Sequence, residues 1–131
     1  MSNNNMLVLF NHTLTERQIE DAKQKLFIKE IITPPQAISQ LWRSIPPEAE
    51  IIDHVLQDVR DWINANSHDG DYLLIQGEFG SVYLMVRHAM EKGLIPIYST
   101  SLRTAEEEEM QDGSIRLVHH FNHVRFRKYG E

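Results

Sequence analysis

Short, mostly apolar runs divide this chain and predict its strands. They stand at residues 6–10, 27–32, 72–75 and 94–98. Runs of this length and character are typical of parallel strands that are buried on both faces. Pro96 within the last run predicts an edge or strand-end position for it. We therefore predict that these four segments form one largely parallel sheet.

Positions with helical spacing lie between the predicted strands. Thr15 fits a helix cap with Gln18 three residues later, which is the pattern of a capping box, and the apolar face that follows reaches about Lys25. Beyond residue 80, apolar side chains recur at the spacing of one helix face until Gly93 provides a stop signal. The predicted helices cover residues 15–25, 36–43, 47–64 and 81–91.

The C-terminal third has the alternating pattern of exposed strands. Asp112 and Gly113 form a strong hairpin signal, and residues 122–129 alternate apolar and basic side chains. We predict a hairpin over residues 105–121 and a final strand after it. Residues 99–103 fit either a third polar loop or an outward continuation of the strand before them.

The order of these elements, β-α-β-α-α-β-α-β-β-β, predicts an α/β fold. Its class is a Rossmann-like three-layer domain with a mainly parallel sheet and a C-terminal β-hairpin. A length of 131 residues suits one domain. We expect residues 1–5 to be a disordered N-terminal extension and residues 6–131 to form the domain.

Composition narrows the class of partner. The formal net charge is −6, whereas proteins that bind long nucleic acids usually present a basic surface, so we expect no DNA partner. The chain has no cysteine and no apolar run of the roughly 20 residues that a membrane span needs. Residues 1–5 lack the basic and apolar regions of a signal peptide. We therefore predict a cytoplasmic protein that does not enter a membrane.

Polar segments follow three of the predicted strands. Residues 11–13, 76–81 and 99–103 would meet at the carboxyl edge of the sheet, where open α/β folds bind ligands. There His12 is a candidate general acid or base, against the alternative of a surface histidine in an ordinary polar loop. The candidate ligand-binding residues of these segments are Asn11, Thr13, Gln76, Gly77, Glu78, Phe79, Gly80, Ser81, Ser99 and Thr100.

The segment 76–81 has two alternative explanations. Its glycines and the helix N-terminus behind them suit an anion or a phosphate, and Phe79 suits stacking on a base. The alternative is a tight turn whose glycines serve geometry alone. Glu78 argues against a phosphate directly beside it.

Two groups of basic and histidine residues lie nearer the C-terminus. Arg125 and Lys128 belong to a cluster that either neutralises a phosphate or protects a sheet edge from aggregation. His119 and His123 share a face of a strand while His120 points away, and no carboxylate at useful spacing completes a site, so we predict no metal. No Ser-His-Asp pattern is recognisable, and no cofactor is predicted.

Four segments together carry a family resemblance. They are LVLFNHTLT (residues 7–15), GDYLLIQGEFG (70–80), GLIPIYST (93–100) and HVRFRKY (123–129), of which LIQG and RFRKY are the most specific strings. With them, residues 6–129 resemble the small stand-alone ring nucleases of type III CRISPR systems, which have a CARF-like domain. Residues 36–66 are the least distinctive part.

The resemblance implies a concrete activity. Such proteins are homodimers that bind cyclic tetra-adenylate and cut it into linear di-adenylates with 2′,3′-cyclic phosphate ends, without a metal. This switches off the ancillary effectors of the antiviral defence. A ribose 2′-hydroxyl attacks the adjacent phosphate, so the protein need only hold that geometry and stabilise the charge.

From loop position we assign roles for that reaction. His12 would donate or accept the proton, and Arg103 would clamp the phosphate. Asn11, Gln76 and the backbone of residues 77–81 would position the ring. Two alternatives stay open: a protein of the same fold that sequesters the cyclic nucleotide without cutting it, and a small regulatory or interaction protein without a nucleotide ligand.

Overall fold

A five-stranded mixed sheet lies at the centre of the computed structural model, which describes residues 3–131. Its strands are β1 (Met6–Leu9), β2 (Ile31–Ile32), β3 (Tyr72–Ile75), β4 (Ile95–Glu109) and β5 (Ile115–Lys128). They are ordered β2-β1-β3-β4-β5; the first four are parallel, and β5 runs antiparallel to β4. The expected α/β fold, with a mainly parallel sheet and a C-terminal β-hairpin, is therefore confirmed.

Helices cover both faces of this sheet: α1 (Glu16–Lys25), α2 (Gln36–Arg43), α3 (Gln57–Asn66) and α4 (Phe79–Glu91). Consecutive residues of β1 point to opposite faces and all are buried, as expected for a central parallel strand. Met6 and Val8 pack with Ala22 of α1, whereas Leu7 and Leu9 pack with side chains of α2, α3 and α4. The sheet therefore carries a hydrophobic core on each face.

The predicted capping box is present at the start of α1. Thr15 Oγ1 accepts a hydrogen bond from the backbone N of Gln18 at 3.2 Å, and Gln18 Oε1 accepts one from the backbone N of Thr15 at 2.9 Å. These bonds satisfy two amides that would otherwise lack partners at the first helical turn. The prediction of where α1 begins is confirmed.

The segment after α1 differs from the prediction. Of the predicted strand over residues 27–32, only Ile31–Ile32 pairs with β1. Phe27 is half exposed and has a φ of 55°, in the left-handed region that ends helices. The amide of Ile28 donates back to the Ala22 carbonyl of α1. The start of this apolar run therefore completes the end of the helix and is not available to the sheet.

The predicted helix over residues 47–64 is also shorter in the structure. A 3-10 turn at Asp53–Leu56 precedes α3, which begins at Gln57. Ile51 belongs to the predicted apolar stripe but is 66% exposed, so the stripe does not face the core there. Arg60 donates to the backbone carbonyl and the carboxylate of Asp53, the first residue of that turn.

Among the described residues, no helix is both long and apolar enough to cross a membrane.

Strands β4 and β5 continue far beyond the sheet as a two-stranded ribbon. β4 pairs with β3 only at residues 95–97, whereas its pairing with β5 extends outward to Glu109 and Ile115. We call residues 101–123 of this ribbon the arm. Residues 99–103 therefore continue the strand, and the alternative of a third polar loop is wrong.

Pro96 is the second residue of β4, so the predicted strand-end position is confirmed. The edge position is wrong, because β4 lies between β3 and β5.

The N-terminal segment hydrogen-bonds to the domain before β1 begins. Residues 1–2 of the expected extension lie outside the described residues. The backbone N of Lys29 donates to the Asn4 carbonyl at 2.8 Å, and the backbone N of Asn5 donates to Asp71 Oδ1 at 3.0 Å. Contacts with the domain therefore include Asn4 and Asn5.

Candidate functional site

A cavity of about 530 Å³ opens at the carboxyl edge of the sheet, and we call it the loop cavity. The segments after β1 and β3, helix α1 and the arm border it. The described residues that line it are Phe10, Asn11, His12, Thr13, Thr15, Gln18, Gln76, Gly77, Ser101, Phe121 and His123. The structure thus brings residues 11–13 and 76–77 together, because they follow neighbouring parallel strands.

Gln76 and Gly77 are held by hydrogen bonds and by close packing. The indole Nε1 of Trp42 donates to the Gln76 carbonyl at 3.0 Å, and the backbone N of Ser99 donates to Gln76 Oε1 at 2.8 Å. A Cβ atom on Gly77 would lie 2.8 Å from Trp42 Nε1, closer than side chains pack. Gly77 therefore serves the geometry of the turn, which is the simpler of its two explanations.

Glu78 occupies the helix N-terminus that was a candidate anion site. It caps α4, and its carboxylate accepts hydrogen bonds from the backbone N of Ser81 at 2.9 Å, the backbone N of Gly80 at 3.1 Å and Ser81 Oγ at 2.9 Å. These bonds, the one from the Ser81 amide first, hold the pKa of Glu78 below its ordinary value of 4.5. The chain's own carboxylate therefore fills the candidate phosphate site, in line with the argument that Glu78 gave against a phosphate directly beside it.

The rest of this segment lies away from the loop cavity as well. Phe79 is 92% exposed, and Ser81 is fully buried at the start of α4. A Cβ atom on Gly80 would lie 3.2 Å from Ile52. Of the predicted ligand-binding segment 76–81, only Gln76 and Gly77 line the cavity.

A buried chain of hydrogen bonds lies beneath the cavity and joins α1 to β4 and β5. His123 Nε2 is 2.7 Å from Asp21 Oδ2, and His123 Nδ1 is 2.5 Å from Ser99 Oγ. Gln18 Nε2 donates to the same Ser99 oxygen at 3.3 Å. Because an ionised carboxylate only accepts, the Nε2–H of His123 donates to Asp21. In the neutral tautomer with its hydrogen on Nε2, Nδ1 accepts the hydrogen bond that the Ser99 hydroxyl donates.

A β-bulge directs His123 into this network. Thr100 pairs with Arg125 and Ser101 with His123, so Val124 has no partner in β4. Neighbours at spacing three normally lie on opposite faces of a strand, but the extra residue puts His123 and Phe126 on one face. Their ring centroids are 4.6 Å apart.

The order Asp21, His123, Ser99 resembles a hydrolase triad, but the burial indicates a different role. Ser99 is 8% exposed and lies under Gln18 and Gln76, which both line the cavity. Its oxygen already accepts from Gln18, and its backbone amide is bonded to Gln76. The network therefore fixes the floor of the cavity and does not present a nucleophile to it.

Asp21 and Gln18 were missed as site residues in the sequence. His123 lies 102 positions from Asp21, and no local pattern joins residues that far apart. One signal was present: Gln18 and Asp21 are three residues apart, so they share a face of α1. To use this signal, one must know that this face packs against β5, and the bulge that turns His123 toward it cannot be recognised in the sequence.

The histidines of β5 have separate partners. His119 Nδ1 lies 3.2 Å from an Arg103 nitrogen, and His120 Nε2 lies 3.6 Å from a Glu106 carboxylate oxygen. His123 belongs to the buried network. Within residues 3–131, no three side chains of His, Asp or Glu are grouped to hold a metal ion.

His12 stands at the mouth of the loop cavity with an exposed ring. The ring meets Phe10 edge to face, with centroids 5.4 Å apart. Among the described residues, no hydrogen bond engages either ring nitrogen. Both nitrogens are therefore available to a ligand, as a proton donor or acceptor requires.

A second cavity, of about 550 Å³, lies on the other side of His12 between the ends of β1 and β2. Lys23 of α1 and Arg43 of α2 both line it, and we call it the cationic cavity. Phe10, His12 and Thr13 line both cavities. The imidazole thus stands where the two cavities adjoin.

The other predicted site residues lie outside both cavities. Arg103 is on the arm, where its guanidinium lies 5.8 Å from the ring centroid of Phe121, a lining residue. Thr100 exchanges hydrogen bonds with the backbone of Arg125 in the ladder. Arg125 and Lys128 line a separate groove. The structure therefore does not bring this basic pair to His12.

The comparisons with known proteins agree on one family. The sequence model of the family described as "Uncharacterized protein MJ1673 family" matches residues 4–127. "Uncharacterized protein MJ1673" of Methanocaldococcus jannaschii is 44% identical over 124 residues, which cover 95% of each chain. No solved structure matches this chain.

Proposed function

This chain belongs to the Uncharacterized protein MJ1673 family, and we propose that it is a ring nuclease of a type III CRISPR system. It binds cyclic tetra-adenylate and cleaves it to linear di-adenylates, which switches off the ancillary effectors. The proposal includes a Rossmann-like, CARF-like fold, a cytoplasmic location and a homodimer. The observation that carries it is the loop cavity, where an exposed imidazole, aromatic rings and neutral amides meet.

The lining of the loop cavity suits an adenine base. Phe10 and Phe121 offer aromatic faces, and base stacking on such faces is worth about 1–3 kcal/mol. The backbone N of Ser99 donates to Gln76 Oε1, and this bond orients the side chain so that its NH₂ group can donate to a ring nitrogen or a phosphate oxygen. Asn11 adds a second neutral amide.

The proposed reaction removes one proton from the attacking 2′-hydroxyl and adds one proton to the leaving 5′-oxygen. The ribose 2′-oxygen attacks the adjacent phosphorus while its proton passes to a ring nitrogen of His12. The bond from phosphorus to the 5′-oxygen breaks, and that oxygen takes a proton from the His12 imidazolium, which returns His12 to its starting form and leaves a 2′,3′-cyclic phosphate. Arg103, which packs over Phe121, is the proposed phosphate ligand of the arm. The step uses groups of the ligand and the protein and needs no metal.

The decisive experiment follows radiolabelled cyclic tetra-adenylate with excess protein in the presence of EDTA. We expect conversion to linear di-adenylate with a cyclic phosphate end. His12→Ala should lower the single-turnover rate about 100-fold, because general acid–base catalysis contributes that much, and should leave the Kd within a few-fold. His54→Ala, at an exposed histidine outside both cavities, is the matched control.

Two results would count against this mechanism. An unchanged rate in His12→Ala removes His12 from the reaction. A tightly bound ring that stays uncut favours the sequestering protein, which is our second candidate because no hydrogen bond from a described residue orients the His12 ring.

The third candidate, a regulatory protein without a nucleotide ligand, draws on the exposed apolar residues of the arm. Ile115 and Leu117 are both more than 60% exposed, and such patches mark contact surfaces. If cyclic tri-, tetra- and hexa-adenylate all fail to shift the melting temperature, this candidate is favoured.

A further inference from the structure

The loop cavity and the cationic cavity are two compartments with a common wall. Phe10, His12 and Thr13 belong to both linings, so a ligand that crosses His12 can occupy both at once. Their volumes, about 530 and 550 Å³, are nearly equal and fall in the range of sites for small organic ligands. Each has room for one nucleotide.

The two compartments differ in charge. The loop cavity is lined by neutral amides, hydroxyls and aromatic rings, together with His12 and His123. The cationic cavity adds Lys23 and Arg43, and among residues 3–131 no carboxylate lines it. Neither cation forms a salt bridge with a described residue, although the chain carries a net charge of −6. Two uncompensated cations in one concavity suit a phosphate.

An ordinary explanation for both cations exists and sets the control. Lys23 and Arg43 stand in the last turns of α1 and α2, where cations interact favourably with the helix dipole. Lys25 stands in the same last turn of α1 but lines neither of these cavities. A helix-end role predicts the same behaviour for Lys23 and Lys25, whereas a ligand role separates them.

We propose that each protomer holds two adjacent nucleotides of one ligand, one in each cavity, with the phosphodiester between them beside His12. Lys23 and Arg43 bind the phosphate of the nucleotide in the cationic cavity. This inference rests on the proposed function and adds where each nucleotide lies in the protomer and which residues bind its phosphate. A two-fold dimer then offers four nucleotide positions, so the ring of four adenylates fits, and the cut at each His12 leaves two-nucleotide products.

The first test measures the affinity of cyclic tetra-adenylate for Lys23→Gln, Arg43→Gln and Lys25→Gln. Lys23→Gln and Arg43→Gln each remove a hydrogen bond to a charged phosphate oxygen. The loss of such a bond should weaken the binding of the ring at least about tenfold. The slope of log K against log salt should fall by about 0.7 for each phosphate contact removed. Lys25→Gln should match the wild type in affinity and slope.

A second variant blocks space without removing charge. Ser39 lines the cationic cavity from α2, so Ser39→Tyr fills it. This variant should lose the ring but keep binding of adenosine monophosphate in the loop cavity. Circular dichroism checks that each variant is folded.

The second test compares ring sizes on the wild-type protein. Cyclic tetra-adenylate should bind at least tenfold more tightly than the rings of three and six, and one linear di-adenylate should bind per protomer in calorimetry.

The outcomes separate the two proposals. If no cyclic oligoadenylate binds the wild type, the proposed function fails. If the ring of four binds, but Lys23→Gln and Arg43→Gln keep wild-type affinity and salt slope, only the two-compartment arrangement fails. Equal affinity for all ring sizes overturns it as well.

Discussion

Gly77 lies so close to the indole of Trp42 that a larger residue does not fit, whatever ligand the loop cavity holds. An added Cβ would come within 2.8 Å of Nε1 and 3.0 Å of the neighbouring ring carbon. The same nitrogen donates to the Gln76 carbonyl. The sequence left two explanations for this glycine, an anion site and a tight turn. Packing of the turn against Trp42 is sufficient to explain it.

Gly77→Ala should therefore lower the free energy of unfolding by about 1–3 kcal/mol, since the new methyl group displaces Trp42 and weakens its hydrogen bond. Urea denaturation measures the loss. Trp42→Phe provides the matched background, because phenylalanine lacks Nε1 and leaves room beside residue 77. An alanine that costs the same in both backgrounds would contradict the steric explanation.

Glu78 shows a charged residue of the predicted site acting as a helix cap. Glu78→Ala should destabilise the protein by about 1 kcal/mol at pH 7, the typical value for a lost N-cap. Because folding lowers this pKa, the contribution is present above 4.5 and disappears as the pH falls through the folded value. The gap between wild type and variant should therefore narrow below pH 4.5.

Urea denaturation at several pH values tests this dependence. Glu20→Ala, at an exposed carboxylate within α1, is the control and should show little effect at any pH. A gap that stays constant down to pH 2 would exclude the carboxylate as the source of the stabilisation.

Helix α1 is attached to the two C-terminal strands by polar side chains as well as by the core. Ala22 contributes to the apolar contact, while Gln18 and Asp21 reach Ser99 and His123. A buried polar network of this kind is favourable only when every member has a partner. Among the described residues, no buried side-chain nitrogen or oxygen lacks one.

A double-mutant cycle between Asp21→Ala and His123→Ala should give a coupling energy of about 1.5–3 kcal/mol, as hydrogen bonds to charged groups do. Urea denaturation of the four proteins supplies the values. Glu20→Ala replaces Asp21→Ala in the control cycle and should be additive with His123→Ala within about 0.5 kcal/mol. Additivity in both cycles would mean that the network contributes no energy between α1 and β5.

How far each element was predictable depends on the range of the interactions that form it. β1, β3 and the capping box of α1 follow local patterns, and the structure has them at the predicted places. The first residues of the predicted second strand form the end of α1 instead, because Phe27 takes a backbone conformation that side chains of its type rarely adopt. The contact of Asp21 with His123 depends on a bulge, which only the pairing of two distant strands defines.

The candidate site shows the same division. Residues 11–13 and 76–77 were predictable because parallel strands deliver their carboxyl ends to one edge. Lys23 and Arg43 were not, since their approach to His12 depends on how α1 and α2 pack on opposite faces of the sheet. Helix periodicity identifies a buried face but does not specify where the helix ends lie.

The apolar face of the arm bears on the assembly of the whole molecule. Ile115, Leu117 and Phe121 alternate along β5 and are 61–69% exposed, so their side chains share one face. An isolated two-stranded ribbon is marginally stable in water. We expect this face to be buried in a dimer.

Sedimentation equilibrium should therefore give twice the chain mass of 15.3 kDa at micromolar concentration. Leu117→Lys should shift the protein toward the monomer, because it buries a charge in the contact. Thr104→Lys, on the opposite face of the arm, is the control and should leave the dimer intact. A monomer in every sample, with or without cyclic tetra-adenylate, would contradict both the dimer and the shared ligand.

Val124 has no partner in β4, and this one extra residue sets the direction in which the arm leaves the sheet. Deleting it would join His123 to Arg125 and restore a regular ladder in which every pair of β4 and β5 is kept. Since a bulge bends and twists its strand, the arm would then leave the sheet at another angle, with Phe121 and His123 still on the cavity side. Insertion or deletion at this one position is therefore a route by which relatives can re-aim the arm without replacing any residue of the loop cavity.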